Sequence, residues 1–404
     1  MNIVRKAFAL SFLIVAQAGA APMAWDGSTT LYDIDFRPEN FLDINSYQFR
    51  PADEIRWYDV ENGWRVASGS LESNRAYLIT DIRIKRVITP SFNARLSWSE
   101  EELYAPRAPD RPLLELELRP AKWPVWISLL GAPAYAKKEA ELGGAVSLGG
   151  RPWNYLRIAW LRPDFYFNSK NDFDSAYYRH APYQVSIEAS YRWANRYKLR
   201  IIWYDNKPQE FVLADQLSVF SYRNRNYQAA VDYRIDSAKT LGVELNGFHT
   251  LQSRLDTIAD RSQDIRYTSV NTYWINEMDH GMEWTLGFRV DDFRNRERTP
   301  FDPVGEFDFI FKTMQLYGSY YRPYSSHQAW DLGLYYGDIS KRRDYRDSAV
   351  SDSRRGYRES MLRMGWNIFS IDHITELTLA VSWNLDDLMN DSFDGGSARF
   401  HTEF

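Results

Sequence analysis

The chain has 404 residues, a formal net charge of -5, 25% charged residues, 16% aromatic residues and no cysteine. Without cysteine there is no disulfide framework and no thiolate metal or nucleophile site, and the near-balanced charge gives no basic field for nucleic acid. Beyond the N-terminus no run is long and apolar enough for a spanning helix, which excludes a helical membrane protein.

The first twenty residues read as an export signal. Arg5 and Lys6 form a basic n-region, residues 7–16 an apolar stretch, and Ala18-Gly19-Ala20 a small-residue cleavage site, so the mature chain is expected to start near Ala21. The apolar stretch is too short for a membrane anchor, which needs roughly 20 residues. Residues 21–52 are the least legible part. They suit a periplasmic segment, a small lumenal plug, or an extra hairpin through residues 31–36.

Residues 53–404 read as strands throughout. One strand is expected within residues 53–70, about six between Arg75 and Phe167, and eleven between Pro182 and Phe404. The total is about 18, or about 16 if two short strands within residues 112–136 are one hairpin arm. Leu114, Leu116 and Leu118 alternate with Glu115, Glu117 and Arg119. Val185, Ile187, Ala189, Tyr191 and Trp193 alternate with Ser186, Glu188, Ser190 and Arg192. The same division into an oily and a polar face recurs from Tyr227 to Asp236, from Met282 to Asp291 and from Glu376 to Leu385.

From residue 182 onward the connections alternate in length. Short turns are expected at residues 194–196, 236–239, 276–280, 322–326 and 370–373. Long polar segments lie between them, at residues 205–223, 251–263, 294–306, 339–356 and 386–395. Short periplasmic turns and longer extracellular loops are the asymmetry of an outer-membrane barrel, which places the C-terminus at the periplasmic side. A soluble sandwich would need an equally oily partner over each oily face, and no repeat of blade or solenoid length is present. The expected fold is therefore all-β, a transmembrane antiparallel up-and-down barrel.

In such a wall the polar face points inward, and the expected lining is of mixed sign. It comprises Arg83, Lys85, Glu117, Arg119, Arg157, Glu188, Arg192, Lys198, Arg200, Asp232, Arg234, Glu244, Glu283, Arg289, Arg363 and Glu376. Charges at mid-depth on the lipid side would cost about 2–4 kcal/mol for Arg or Lys, so these residues must meet water or one another. Lys198, Arg200 and Arg192 on neighbouring strands suggest a local basic ladder, and Tyr204, Phe248, Tyr317 and Tyr335 suggest rings along the wall. Residues 205–223 are the best candidate for a loop folding inward. The six histidines come with no nucleophile motif, so no catalytic residues are assigned, and neither a metal nor a cofactor is expected. Arg-rich segments at residues 294–298, 341–347 and 353–355 would attract lipopolysaccharide phosphates; the preferred reading of them is solvated loops that salt-bridge locally.

The last strand, Ala398-Arg399-Phe400-His401-Thr402-Glu403-Phe404, resembles the C-terminal strand by which Gram-negative assembly machinery recognises its barrel clients, with Phe400 and Phe404 as the signal. Arg399 and Thr402 depart from that pattern. With the signal peptide and the alternating hairpins, the chain resembles bacterial outer-membrane porin-type β-barrels. The resemblance implies location in the outer membrane, contact with its lipid and lipopolysaccharide, handling by the barrel-assembly machinery, and passive passage of polar solutes. The alternative it implies is a conduit exporting a polysaccharide with a separate periplasmic partner. Neither the solute nor the oligomeric state is legible.

Overall fold

The computed structural model describes residues 50–71, 75–101, 112–120, 123–132, 140–162, 177–180, 183–212, 219–255, 260–299, 306–347, 350–372, 374–386 and 393–404. The export signal and the hairpin considered at residues 31–36 lie outside these. A short helix, α1 (Pro51–Trp57), is followed by β1 (Gly63–Leu71), β2 (Arg75–Thr89), β3 (Phe92–Glu101), β4 (Leu113–Leu118) and β5 (Val125–Ala132). Then come β6 (Glu141–Leu148), β7 (Tyr155–Arg162), β8 (Tyr177–His180), β9 (Gln184–Trp193), β10 (Tyr197–Val212), β11 (Val219–Arg234) and β12 (Lys239–Leu255). The series ends with β13 (Arg261–Glu277), β14 (Glu283–Arg298), β15 (Phe307–Ser325), β16 (Gln328–Tyr345), β17 (Ser353–Phe369), β18 (Thr375–Asn384) and β19 (Phe393–Glu403).

Each wall strand pairs antiparallel with its neighbours, and β7 pairs directly with β9. The sheet closes where β1 meets β19, from Gly63 opposite Glu403 to Gly69 opposite Ser397. The result is a closed barrel of 18 strands. The short β8 lies beside the upper end of β10 and takes no separate place in the ring. The strand expected within residues 53–70 is β1, the six before Phe167 are β2 to β7, and the eleven that follow Pro182 are β9 to β19.

Alternation sets which side of the wall each residue meets. On β16, Trp330, Leu332, Leu334 and Tyr336 are exposed on the outer face, while Ala329, Asp331, Tyr335 and Ile339 are buried on the inner one. The oily outer positions continue around the barrel, and at its short-turn end they become aromatic. Trp193 stacks on Tyr197, Tyr197 on Tyr233, Tyr324 on Trp330 and Trp330 on Trp366, while Trp274 meets Trp284 edge-on. This is the girdle with which a membrane barrel meets the bilayer interface. Inside, glycines make room for tyrosine rings. A Cβ on Gly287 would lie 2.1 Å from the Tyr317 ring, whose hydroxyl donates to Asn271 Oδ1 at 3.0 Å.

Strand reaches into each of the long loops expected after residue 182, and takes up most of 205–223, 251–263 and 339–356. The β10–β11 hairpin runs up to Val212 and Val219, β12 reaches Leu255, β14 reaches Arg298, and β16 reaches Tyr345 before β17 resumes at Ser353. Residues 205–212 and 219–223 therefore form paired wall, contrary to the reading of an inward-folded loop; residues 213–218 lie outside those described. The reason is physical: above the oily band the outer face turns from apolar to polar, so the lower strand's alternation ends while backbone pairing continues.

Leu316 sits on the outer face within the oily band, 59% exposed. Leu316→Arg is expected to cost about 2–4 kcal/mol in denaturant unfolding from lipid vesicles. A loss below about 0.5 kcal/mol, the level typical of an inconsequential surface change, would contradict a lipid-facing position.

Candidate functional site

Residues 50–62 enter the barrel at its short-turn end and touch walls on opposite sides. Pro51 opens α1, Asp53 and Glu54 occupy its first turn and Arg56 its last, an order that suits helix start, macrodipole and finish. At one side, Arg50 lies 3.9 Å from the centre of the Tyr321 ring on β15 and 4.0 Å from Glu283 on β14, and Ala52 packs on Tyr273 and Ile275 of β13. At the other, Glu54 pairs with Arg65 of β1 at 2.6 Å, and the buried Trp57 donates its indole N–H to Asp81 of β2 at 2.6 Å.

The contacts continue past the helix. Tyr58 lies under the Arg200 guanidinium, Asp59 pairs with Lys198 at 2.9 Å and accepts from Trp153, and Glu61 binds Lys85 at 2.7 Å and Arg95 at 2.9 Å. Burial pushes the Asp53 carboxyl up, but Arg50 and Arg56 outweigh it and hold Asp53 well below the usual carboxylate range. A depressed carboxyl contributes its stabilisation above its unfolded pKa and loses it only as pH falls through the lower folded value. Both partners belong to the same segment, so this pairing braces the helix at neutral pH, while Glu54, Asp59 and Glu61 tie it to the wall.

The wall charges away from this segment are also paired. Arg157 meets Glu188 at 2.7 Å and Glu115 at 3.3 Å, and Arg151, reaching in from the β6–β7 turn, binds Glu115 at 2.5 Å and also Glu117. Desolvation opposes the charge of Arg151, yet Glu115 and Glu117 prevail and raise its pKa. Arg289 donates to Asp291 at 3.1 Å and to the Tyr267 hydroxyl at 2.8 Å. Arg363 and Arg399 both address the fully buried Asp331, which also accepts from Asn367 at 3.1 Å.

Thirteen of the sixteen expected lining residues thus sit on the inner face of the wall or in its buried networks, among them Arg83, which donates to the Trp57 carbonyl at 3.0 Å, and Glu244, which accepts from Gln228 at 3.0 Å. Glu376 is half-buried opposite His401. Arg119, Arg192 and Arg234 are exposed at the short-turn rim; Arg119 and Arg234 are turned onto backbone carbonyls there. No basic ladder forms, because Lys198 turns to Asp59 and Arg200 to Tyr58 and to Asp232, 3.8 Å away. Phe400 meets Trp64 edge-on at 5.2 Å, and Phe404 lies half-exposed at the seam, its N–H bonded to Asn62.

Above the segment, a cavity of about 530 Å³ opens inside the barrel between β1 and β14. Its lining mixes Arg65, Arg200 and Arg289 with Glu54, Glu61 and Glu244, and adds the amides of Asn226, Gln228, Asn246 and Asn271. The other side of the barrel carries an apolar cluster on its inner face, beyond the Asp331 group. Phe248, Ile265, Tyr267, Phe293, Phe311, Tyr335, Ile339 and Met361 form a buried cluster across β12 to β17. Three of the four rings expected along the wall, those of Phe248, Tyr317 and Tyr335, belong to this cluster or pack on it, and Tyr204 faces the cavity.

No family model matches the chain, and no curated protein matches it. Solved structures with a similar outline include a loop-deletion mutant of OmpT, an outer membrane protein of Vibrio cholerae, at 8% identity and TM-score 0.39, covering 85% of this chain and 98% of that one. A bacterial polysaccharide outer membrane secretin follows at 10% identity and TM-score 0.37, covering 86% and 100%. OccK2 of Pseudomonas aeruginosa, in complex with glucuronate, has 12% identity and TM-score 0.37, covering 85% and 97%. These are all barrels, and so is this chain; at such scores the case for its fold rests on its own strand pairing.

Asp331 is the sole acidic partner in contact with Arg363 among the described residues, and it serves Arg399 as well. Asp331→Asn strands buried positive charge and is expected to cost on the order of 3–5 kcal/mol, read as a lowered midpoint of heat or denaturant unfolding. An unchanged midpoint would show that the two guanidinium groups are hydrated in place.

Proposed function

We propose that the chain is an outer-membrane channel that gives polar solutes a passive route through its mixed-charge lumen, narrowed at the short-turn end by residues 50–62. The observation that carries this reading is the cavity of about 530 Å³ inside a closed wall, lined by charges of both signs and by side-chain amides. A closed barrel with an oily exterior belongs in a bilayer, and a polar lining supports water and hydrogen-bonding solutes along its axis. Because Arg and Glu are interspersed, the route should discriminate weakly between anions and cations.

A second reading has one observation in its favour. Asn226, Gln228, Asn246 and Asn271 lie on three adjacent strands, and amides so placed can exchange hydrogen bonds with sugar hydroxyls. On that reading the chain conducts a polysaccharide outward with a separate periplasmic partner, and purified barrels in vesicles would stay tight to small solutes while a deletion strain lost surface polysaccharide.

The test of the first reading is solute flux and reversal potential in vesicles holding the purified chain. Small sugars and amino acids should enter. Arg200→Gln with Arg289→Gln should shift the reversal potential toward cation preference, and Glu244→Gln should shift it toward anion preference. Vesicles impermeable to every small solute, or reversal potentials indifferent to all three substitutions, would defeat the proposal.

A further inference from the structure

Among the described residues, the charges that line the cavity have partners of opposite sign, with two exceptions. Arg65 holds Glu54 at 2.6 Å, Lys85 holds Glu61 at 2.7 Å, Arg157 holds Glu188 at 2.7 Å and Arg289 holds Asp291 at 3.1 Å. Arg200 and Glu244 are not answered in this way. The Arg200 guanidinium lies over the Tyr58 ring and its Nε has no hydrogen-bond partner. The carboxylate nearest to it, that of Asp232, stays 3.8 Å away and accepts from the Tyr273 hydroxyl at 2.6 Å. Glu244 accepts from the Gln228 amide at 3.0 Å and meets no cation in ion-pair contact.

The two unanswered charges stand at one level of the wall. Arg200 on β10 lies opposite Ala230 on β11, and Ala230 lies opposite Glu244 on β12. The charged residues are therefore two strands apart, about 10 Å, with only a methyl group between them. Two residues further from the short-turn end, Gln228 faces Asn246, and two beyond that Asn226 lies between Tyr204 and Phe248. The side-chain oxygens of Asn226 and Asn246 are buried and accept no hydrogen bond. Ile79, Leu113, Leu161 and Ile202 bring apolar side chains to the same cavity.

A ligand that suits this arrangement carries both charges itself. A simple anion on Arg200 is repelled by Glu244, a simple cation on Glu244 is repelled by Arg200, and a neutral sugar answers neither. An extended chain of three amino acids spans about 10 Å between its charged ends. Its carboxylate matches the guanidinium fork, and its two internal N–H groups match the two asparagine oxygens. We propose that the cavity is a binding site for short zwitterionic peptides. The C-terminal carboxylate sits on Arg200, the N-terminal ammonium on Glu244, the backbone N–H groups on Asn226 and Asn246, and apolar side chains against Leu113 and Leu161. This deepens the channel reading, on which it rests for access to the cavity; binding itself needs no conduction.

The probe is the tripeptide Ala-Leu-Ala, added near pH 7, where both of its ends are charged, to the purified chain in detergent and followed by titration calorimetry. Its N-acetylated form, its C-amidated form and a neutral trisaccharide are the controls. The free peptide should bind at least about tenfold more tightly than any of the three. Arg200→Gln should erase the margin over the amidated form and keep that over the acetylated form, and Glu244→Gln should do the reverse. A structural role for either residue would instead weaken every ligand alike. Controls that bind as tightly as the free peptide would overturn the proposal, and so would folded variants that keep both margins or lose affinity for all ligands equally. The comparison of free with capped peptide uses the native chain, so it decides the matter even where a variant fails to fold. Peptide binding by a chain whose vesicles pass no solute would sink the channel reading and leave this site standing. Vesicles permeable to small sugars, with a chain indifferent to the peptide, would do the opposite.

Discussion

Everything in this molecule follows from closing the sheet. In hydrocarbon a backbone N–H or C=O without a partner costs several kcal/mol, so a spanning sheet can leave no edge. The seam between β1 and β19 meets that demand, pairing seven consecutive residues from Gly63 to Gly69 with Glu403 to Ser397. Once the ring is closed, pleat geometry does the rest. Alternate residues are committed to lipid or to the interior, and a shift of one residue at any hairpin would turn its Arg and Glu residues into the bilayer.

An interior rich in charge then needs internal answers. The wall supplies some of them, as in the Asp331 group with Arg363 and Arg399, and the chain's own N-terminal segment supplies the others. Residues 50–62 place Asp53, Glu54, Asp59 and Glu61 among Arg50, Arg65, Lys198, Lys85 and Arg95, and insert Trp57 where its ring meets His401 at 5.1 Å. This segment enters beside the seam, so the elements that close the barrel and the elements that narrow it occupy one end. The asymmetry above it, a polar cavity on one side and an apolar cluster on the other, confines any aqueous route to the side of β1 to β14.

Strand number and facing were legible because lipid imposes a strict period of two. Leu377, Leu379, Val381 and Trp383 could be assigned outward from spelling alone, and so could the inward Arg157, Arg289 and Arg363. Three features escaped the same logic. The upper strands carry charge on the outer face, where the oily residues stop, so Arg294 and Arg342 read as loop although they are paired wall. The inner cluster of Phe293, Phe311 and Ile339 sits at positions where polarity was expected, and its only signal was a break in the alternation beyond Asp291 and Thr313. The turn residue Arg151 gave no sign that it reaches back to Glu115 and Glu117. The helix at residues 51–57 was not read from the sequence, although Pro51, Asp53, Glu54 and Arg56 suit its start and finish, because the reading followed strand periodicity alone.

Residues 50–62, seated in the barrel, set its width at the short-turn end. Single-channel conductance in planar bilayers tests this directly, comparing the chain from residue 21 onward with one that starts at Gly63. Small or rare steps are expected in the longer chain and larger, persistent ohmic steps in the shorter one. Equal conductance in the two would contradict it.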